Sequence, residues 1–352
     1  MPRGGTVPGL EVTEVRWPLA APFTIARDTA HDIACLQLRL TDAAGCSGRA
    51  EAIGVDHAGE TIATLRADIE AVRSRIEAAL VGTGLPDAAA AHAVADGAGT
   101  RAALQDWLPA GGARNALDCA LWDLEAKQRG VPVWRLAGLP EPAPRLTAFT
   151  LGIMDEAALR ATVRAHAGFR VLKVKTDRDR GLDPVRIVHE EAPQARLIVD
   201  ANTSWGAVDL ERHAPQLAAL GVALLEQPVD PRDDGCLRGS GLPVPVAADE
   251  AFIDRASLPQ LVGKYQVLNI KLDKTGGLTE ALACAREGLS QGFRLMVGCM
   301  VGSSLSMAPA TLVAQQCDFV DLDGPLLQSA DCDHPIAYRD GMIGVPTPEL
   351  WG

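Results

Sequence analysis

The sequence has no apolar run that approaches the ~20 residues needed to span a bilayer. Its opening residues, MPRGGTVPGLEV, contain no apolar segment typical of a secretion signal, so we expect a cytoplasmic protein without a membrane partner. Basic residues are also scarce, with 33 Lys and Arg against 45 Asp and Glu and a net charge of −12. That acidic balance argues against nucleic acid as a partner.

The eight cysteines form no C-x-x-C pair, and none of the seven histidines has a second one at metal-ligand spacing. A chain of 352 residues buries a large core without disulfides, so we expect free and mostly buried cysteines. With 47% apolar and 22% charged residues, the chain is folded and is too long for one ordinary domain. The composition leaves a homo-oligomer open.

The sequence changes character after Pro144. Before it, residues 10–55 alternate apolar and polar residues like strands, while residues 62–80 and 113–130 have the apolar spacing of helices. After it, β-rich runs begin at residues 145, 170, 195, 222, 244, 266, 294 and 318, separated by helical segments. This rhythm predicts an eight-stranded parallel (β/α)₈ barrel preceded by an α+β region, with an open doubly wound sheet as the alternative.

No amphipathic helix follows the eighth β-rich run, where the sequence is rich in Pro, Gly and polar residues. We therefore predict that the helix at 113–130 fills the gap left in the barrel. We also expect the C-terminal tail to fold back onto the N-terminal domain.

Charged residues end six of the eight β-rich runs, where the active sites of barrel enzymes lie. They are Lys173 and Lys175 on the second run, Asp200, Glu226 and Asp249 on the third to fifth, Lys271 on the sixth, and Asp321 and Asp323 on the eighth. Burying charges in apolar strands is costly, and folding alone does not require it. The set as a whole therefore indicates an active site.

Asp200, Glu226 and Asp249 end three neighbouring strands, so their carboxylates can converge on one point. Three unneutralised carboxylates repel one another, which requires raised pKa values or a bound cation. Oxygen ligands without His or Cys favour a hard ion, and we expect one Mg²⁺ per chain, with Mn²⁺ as the next choice.

The second and sixth strands are opposite each other in a ring of eight, so Lys175 and Lys271 should face each other across the barrel mouth. An amine close to other cations and a divalent ion has a lowered pKa and can act as a base. Two such lysines suit a 1,1-proton transfer, in which one removes the α-proton of a carbon acid and the other returns a proton to the opposite face. The metal would stabilise the enediolate formed from the substrate carboxylate.

These motifs together resemble the enolase superfamily, specifically its muconate lactonising subgroup. The resemblance rests on Lys-Val-Lys at 173–175, Asp200, Glu226, Asp249 and NIKLDKTGG at 269–277, in that order along the strands. It implies an α/β protein with a modified (β/α)₇β TIM barrel, an N-terminal α+β capping domain completed by the C-terminal tail, and Mg²⁺. The expected boundaries are 1–112 for the cap, 113–325 for the barrel and 326–352 for the tail.

Within that subgroup, four segments resemble the dipeptide epimerases. They are residues 108–127, LLEQP at 224–228, NIKLDKTGGLTEAL at 269–282 and DLDGP at 321–325. The resemblance implies an isomerase that epimerises the C-terminal residue of L-Ala-D/L-Glu or a similar dipeptide, with a role in cell-wall peptide metabolism.

The same resemblance implies roles for individual side chains. Asp321 and Asp323 would bind the α-ammonium of the dipeptide, while Asp200, Glu226 and Asp249 bind Mg²⁺ and Lys175 and Lys271 exchange protons. Lys173 would contact the substrate carboxylate and depress the pKa of Lys175. Arg27, in a cap loop at 22–29, would pair with an acidic substrate side chain, whereas the loop at 54–60 matches no pattern that we can interpret.

Three other functions remain open from the sequence. An N-acyl amino-acid racemase, a cycloisomerase or an o-succinylbenzoate synthase would use the same scaffold, although Asp321 and Asp323 would then face an uncharged group at a desolvation cost. A lyase would use one barrel lysine as a Schiff-base nucleophile. A catalytically silent binding protein would bind a ligand without exchanging its α-hydrogen.

Overall fold

The computed structural model describes residues 8–81 and 97–352, with only the backbone described for residues 97 and 98. Residues 1–7, which belong to the opening segment on which the expectation of a cytoplasmic protein rests, lie outside this part of the chain. So do residues 82–96 of the predicted cap.

The N-terminal region is a three-stranded antiparallel sheet covered by helices. Its strands are β1 (Gly9–Thr24), β2 (Thr29–Thr41) and β3 (Ser47–Ala52), and its helices are α1 (Ile62–Leu80), α2 (Gly97–Trp107) and α3 (Gly112–Arg129). The alternation in β2 places Leu36, Leu38 and Leu40 on one buried face, as a strand with period two requires. The region is therefore α+β, as predicted.

The remaining chain contains an eight-stranded parallel sheet. Its strands are β5 (Phe149–Leu151), β6 (Val171–Lys175), β7 (Arg196–Asp200), β8 (Val222–Glu226), β9 (Val246–Ala248), β10 (Val267–Ile270), β11 (Arg294–Val297) and β12 (Phe319–Val320). They are paired in the order β12-β11-β10-β9-β8-β7-β6-β5. The two ends of the sheet are linked, because the backbone N–H of Ala148 donates to the carbonyl of Val320 at 2.8 Å. The predicted barrel fold is confirmed.

Helices connect most of the barrel strands. The short helix α4 (Val133–Leu136) precedes the first barrel strand, and the connecting helices are α5 (Glu156–Ala165), α6 (Asp183–Glu191), α7 (Ala207–Ala219), α8 (Leu258–Leu261), α9 (Leu272–Thr275), α10 (Leu278–Ser290) and α11 (Ser304–Ala314). The connection from β8 to β9 differs from the expected helix, since it contains only a 3₁₀ turn at Asp234–Leu237. Its sequence is rich in Pro, Gly and Asp, which break helices. None of the described helices is long and apolar enough to cross a membrane.

The helix α3 does not fill the gap beside the eighth strand, so that prediction is wrong. It packs on β2 and β3 and on α9 and α10, because Arg114 donates to the carbonyls of Thr275 and Gly276 and Trp122 Nε1 donates to Thr279. The space beside β12 and β5 is instead bordered by a C-terminal hairpin. The hairpin strands β13 (Tyr338–Arg339) and β14 (Met342–Ile343) form a sheet with β4 (Arg145–Leu146).

The tail also contacts the N-terminal region, as expected. The N–H of Ser329 donates to the carbonyl of Pro18 at 2.9 Å, and Arg49 Nε donates to the carbonyl of Leu350 at 2.9 Å.

Candidate active site

Strand register brings the predicted charged residues together at the carboxyl ends of the barrel strands. Lys175, Asp200 and Glu226 are aligned across β6, β7 and β8, and Asp249 directly follows β9. Asp200 and Glu226 have no exposed surface, and Asp249 is 2% exposed. Below them the barrel is filled by apolar side chains such as Ala148 and Ile198, so these charges occupy a single layer at the barrel rim.

The ammonium of Lys173 is the centre of a buried ionic cluster. Its Nζ donates to Glu226 Oε1 at 3.0 Å and to Asp321 Oδ2 at 2.9 Å, and lies 3.1 Å from Asp200 Oδ2. Burial disfavours its charged form, but Asp321, Glu226 and Asp200 outweigh that effect and raise the pKa of Lys173 well above its usual value. Lys173 is therefore a fixed cation rather than a proton carrier.

The two lysines predicted to transfer protons are each held by a different carboxylate. Lys175 Nζ donates to Asp200 Oδ2 at 2.7 Å and to Asn202 Oδ1 at 3.0 Å, while Lys271 Nζ donates to Asp249 Oδ2 at 2.7 Å. Burial opposes the charge on Lys271, but Asp249 overcomes it and raises the pKa of Lys271. The charges of the protein alone therefore do not prepare Lys271 as a base.

The three carboxylates differ sharply in their electrostatics. Burial and the neighbouring Asp200 raise the pKa of Glu226 to about 8. Burial would also raise the pKa of Asp200, but Lys175 and Lys173 hold it below its usual range. The pKa of Asp249 is likewise held low, against burial, by Lys271 and Lys274. Of the three carboxylates, only Glu226 therefore has its ionised form disfavoured, by burial and by the charge of Asp200.

The donor chemistry fits a hard cation. Glu226 Oε2 accepts no hydrogen bond from a described residue, although Lys173 Nζ lies 2.8 Å away. Among the residues that the structure describes, no three acidic, His or Cys side chains are arranged to hold a metal ion, because lysine ammoniums pair with the carboxylates. A bound ion would have to displace some of these pairs. The oxygen-only set remains the one that Mg²⁺ prefers.

Asp321 and Asp323 lie beside the Lys173 cluster. Asp321 Oδ1 accepts a hydrogen bond from Thr150 Oγ1 at 3.2 Å, and Asp323 Oδ2 accepts one from the Thr150 backbone at 2.5 Å. Burial and the charge of Asp321 raise the pKa of Asp323 to about 7. An adjacent cation would favour its ionised form.

A cavity of about 230 Å³ lies between the cap and the barrel mouth. Lys175, Lys271 and Asp249 line it from the barrel, and Arg27 and His57 line it from the cap. The first cap loop therefore reaches the site, as predicted, and so does the second loop, which the sequence left without an interpretation. Lys173, Asp200, Glu226, Asp321 and Asp323 are buried and do not line this cavity.

Two family descriptions match the chain. "Mandelate racemase / muconate lactonizing enzyme, N-terminal domain" matches residues 8–138, and "Enolase C-terminal domain-like" matches residues 155–349. The chain belongs to the enolase superfamily.

Within the superfamily, the chain groups with dipeptide epimerases and is an isomerase of the epimerase and racemase class. It is 39% identical to an L-Ala-D/L-Glu epimerase from Escherichia coli, with 95% of this chain and 98% of the relative covered. It is 45% identical, over 70% of this chain and 78% of the relative, to an N-acetyl-D-glutamate racemase from Pseudoalteromonas.

Solved structures of superfamily members give the same grouping. An Agrobacterium tumefaciens protein with homology to dipeptide epimerases, solved with sodium and L-Ala-L-Glu, is 39% identical, with a TM-score of 0.89 and 98% and 99% of the two chains covered. A dipeptide epimerase from Methylococcus capsulatus, complexed with Mg and L-Arg-D-Lys, is 30% identical, with a TM-score of 0.84 and coverage of 97% and 98%.

Sequence reasoning missed several residues of the site. Lys274 Nζ donates to Asp249 Oδ1 at 2.6 Å, and its position one helical turn after Lys271 was a usable signal. Asn202, two residues after Asp200, accepts a hydrogen bond from Lys175 Nζ at 3.0 Å, and its position in the sequence indicates no role by itself. Glu250 holds Arg27 at 2.7 Å across the interface between cap and barrel, and no local pattern in the sequence indicates this contact.

Proposed function

We propose that this enolase superfamily member epimerises the C-terminal residue of L-Ala-L-Glu or a similar dipeptide by a Mg²⁺-dependent, two-base proton transfer. The observation that carries the proposal is that Lys175 and Lys271 line one cavity while each is held by a different carboxylate. The names of the Escherichia coli and Agrobacterium relatives support the choice of substrate. In the cytoplasm, such an enzyme would act on dipeptides released from cell-wall peptides.

In this proposal each lysine serves one face of the substrate α-carbon. One Nζ accepts the α-proton, and the other Nζ delivers a proton to the opposite face, which inverts the centre. Asp200 and Asp249 orient the two amines through their 2.7 Å hydrogen bonds. The fixed charge of Lys173 would attract the substrate carboxylate towards the cluster.

Asp200, Glu226 and Asp249 would hold the cation, one per chain, with Mn²⁺ as a possible substitute. When bound, Mg²⁺ supplies positive charge that stabilises the carboxylate as the α-proton leaves. Treatment with a chelator should abolish turnover, and added Mg²⁺ should restore it. Full activity in excess chelator would contradict the role of the metal.

The variant Lys271→Ala tests the two-base arrangement. In deuterated water, the wild-type protein should exchange the α-hydrogen of both epimers. The variant should lose epimerisation by about 10²-fold or more, because one proton carrier is missing, and should exchange only the epimer that faces Lys175. Mass spectrometry of each recovered epimer measures this.

Lys127→Ala is the matched control, because Lys127 pairs with Asp123 on α3 away from the cavity. It should exchange both epimers at the wild-type rate. Normal exchange of both epimers by Lys271→Ala would rule out the mechanism.

A second candidate, racemisation of an N-acylated glutamate, is favoured by the 45% identity to the N-acetyl-D-glutamate racemase. N-acetylglutamate and alanylglutamate share an acylated glutamate and differ in the ammonium and methyl groups of the alanyl unit. The pKa of about 7 for Asp323 is compatible with either substrate, since the carboxyl could be neutral beside an acetyl group or ionised beside an ammonium.

The variant Asp323→Asn separates the two candidates. If the dipeptide is the substrate, the variant should lose about tenfold or more in kcat/KM for L-Ala-L-Glu, because a charged hydrogen bond to the ammonium is lost. Turnover of N-acetyl-L-glutamate provides the internal control and should change little. A wild-type protein that turns over N-acetyl-L-glutamate but no free dipeptide would establish the second candidate.

A further inference from the structure

A second cavity, of about 440 Å³, lies at the opposite end of the barrel from the candidate active site. It is lined by the starts of the strands, including Arg145, Arg170, Arg196 and Asp318. A five-residue strand such as Arg196–Asp200 separates the two ends by about 13 Å. The cavity is therefore distinct from the site that holds the lysines.

Arginine is concentrated at this end of the barrel. Three of the eight β-rich runs begin with arginine, at positions 145, 170 and 294, and the run that begins at residue 195 has arginine as its second residue, Arg196. Arg196 and Arg294 begin β7 and β11, Arg170 and Asp318 directly precede β6 and β12, and Arg145 begins β4, just before β5. Because β11, β12, β5, β6 and β7 follow one another around the barrel, these residues lie together at one end of it. A local excess of positive charge stands out in a protein with a net charge of −12.

Two of these arginines close the bottom of the barrel. The guanidinium carbons of Arg196 and Arg294 lie 4.0 Å and 5.0 Å from the ring centroid of Phe319, whose side chain fills the lowest layer of the barrel interior. This stacking fixes their planes and leaves their edges free to donate hydrogen bonds. Burial and the charge of Arg294 also lower the pKa of Arg196, as expected where carboxylates are in short supply.

The cavity contains few acceptors for these donors. Asp318 Oδ1 accepts from Arg294 at 3.1 Å, Arg145 donates to the carbonyl of Cys317 at 2.7 Å, and Arg196 lies 3.4 Å from the carbonyl of Asp318. Among the described residues, none forms a hydrogen bond or an ion pair with the side chain of Arg170. Most of the guanidinium N–H groups around the cavity therefore have no acceptor in the part of the chain that the structure describes.

We propose that this cavity, lined by Arg145, Arg170 and Arg196, binds a small phosphate-bearing anion. A phosphate group offers three terminal oxygens, which can accept from several guanidiniums at once, whereas a single carboxylate serves only one as a bidentate partner. The volume exceeds that of inorganic phosphate, so an organic phosphate is the better fit. The concave shape also favours a small molecule over a polymer.

Isothermal titration calorimetry with glycerol 3-phosphate, and separately with inorganic phosphate, tests the proposal at constant ionic strength and with Mg²⁺ present. We expect saturable binding, tighter for glycerol 3-phosphate, that saturating L-Ala-L-Glu does not displace. Equal binding of the two probes would show that the cavity recognises the phosphate group alone, which would still support a phosphate site. Absence of saturable binding at millimolar concentration, or displacement by the dipeptide, would overturn the proposal.

Two variants with opposite expected effects make the test specific. Arg170→Gln should weaken binding about tenfold or more, because it removes a charged donor from the cavity. Asp318→Asn should tighten binding several-fold, because it removes the carboxylate that lines the cavity and pairs with Arg294.

Arg286→Gln is the control, since Arg286 is exposed on α10 and its loss changes the net charge equally. It should bind the probe as the wild-type protein does. If Arg170→Gln and Arg286→Gln weakened binding of the probe equally, the loss would come from the net charge alone. That result would overturn the assignment of the cavity. The epimerase rate reports whether each variant is correctly folded.

Discussion

At the scale of single residues, the contact between Arg27 and Glu250 joins the cap to the barrel beside the cavity. The two residues are 223 positions apart in the sequence. The Arg27 side chain is 32% exposed towards the cavity, whereas that of Glu250 is 5% exposed. A guanidinium has five N–H donors, so Arg27 can retain Glu250 while it donates to a further carboxylate. We therefore propose that Arg27 recognises an acidic substrate side chain.

We predict that Arg27→Gln selectively impairs acidic substrates. Its KM for L-Ala-L-Glu should rise about tenfold or more, because a charged hydrogen bond to the side-chain carboxylate is lost. Its KM for L-Ala-L-Met should change little. Steady-state kinetics with both dipeptides measures the difference, and equal losses on both would assign Arg27 a purely structural role.

At the scale of elements, helix α3 joins the cap to the barrel. Gly48 on β3 lets the helix approach closely, since a Cβ added there would lie 2.2 Å from the carbonyl of Ala120 and 2.4 Å from the backbone nitrogen of Leu124. On the other side, Arg114 binds carbonyls at the end of α9. We still propose boundaries at 1–112, 113–325 and 326–352, although α3 contacts the domains on both sides of the first boundary.

The close contact at Gly48 predicts that adding a single methyl group there destabilises the protein. Gly48→Ala should lower the free energy of unfolding by about 1–3 kcal/mol, because α3 must move away from the sheet. Gly168→Ala is the matched control, since nothing lies within 4 Å of its added Cβ. Chemical denaturation of both variants measures the difference, and similar stabilities for the two would show that α3 adjusts without cost.

At the scale of the whole molecule, some of the acidic residues are buried at the interface between cap and barrel. Asp273 Oδ1 accepts from the N–H of Ile53, the residue after β3, at 3.0 Å and from Asn115 on α3 at 2.9 Å, so it joins the barrel to the cap and to α3. Burial raises the pKa of Asp273 to about 7 and that of Asp118, on α3, to about 6. We therefore expect the packing of the cap on the barrel to depend on pH.

The raised pKa values predict that stability falls as the pH rises. In the unfolded chain these carboxyls lose their protons near pH 4, so between about pH 4 and 7 the folded protein binds more protons, and its free energy of unfolding decreases with pH. In the Asp273→Asn variant, the loss in the free energy of unfolding between about pH 5 and 8 should be smaller than in the wild-type protein by about 2 kcal/mol.

Denaturation of the wild-type protein and the variant at both pH values measures this effect. Asp183→Asn, whose side chain is 78% exposed, is the control and should retain the wild-type pH dependence. An unchanged pH dependence in Asp273→Asn would show that Asp273 is ionised in the folded protein at low pH.

Much of the architecture follows from local patterns. The recurring β-rich runs predicted the barrel, because the spacing of strand and helix is a property of consecutive residues. The charges at strand ends predicted a common site, because strand direction places every carboxyl end on the same face of a barrel. The position of α3 was misjudged, because amphipathic spacing reveals that a helix buries one face but not which surface covers it.

By itself, the sequence determined the order of elements, the barrel and the ring of charged residues at its mouth. Only the tertiary structure decided that Lys173 pairs with Glu226 and Asp321, that Glu250 holds Arg27, and that arginines from separate strand starts surround one cavity. These contacts join segments far apart in the chain. Their distances depend on how strands are registered and domains packed, which no local spacing of residues records.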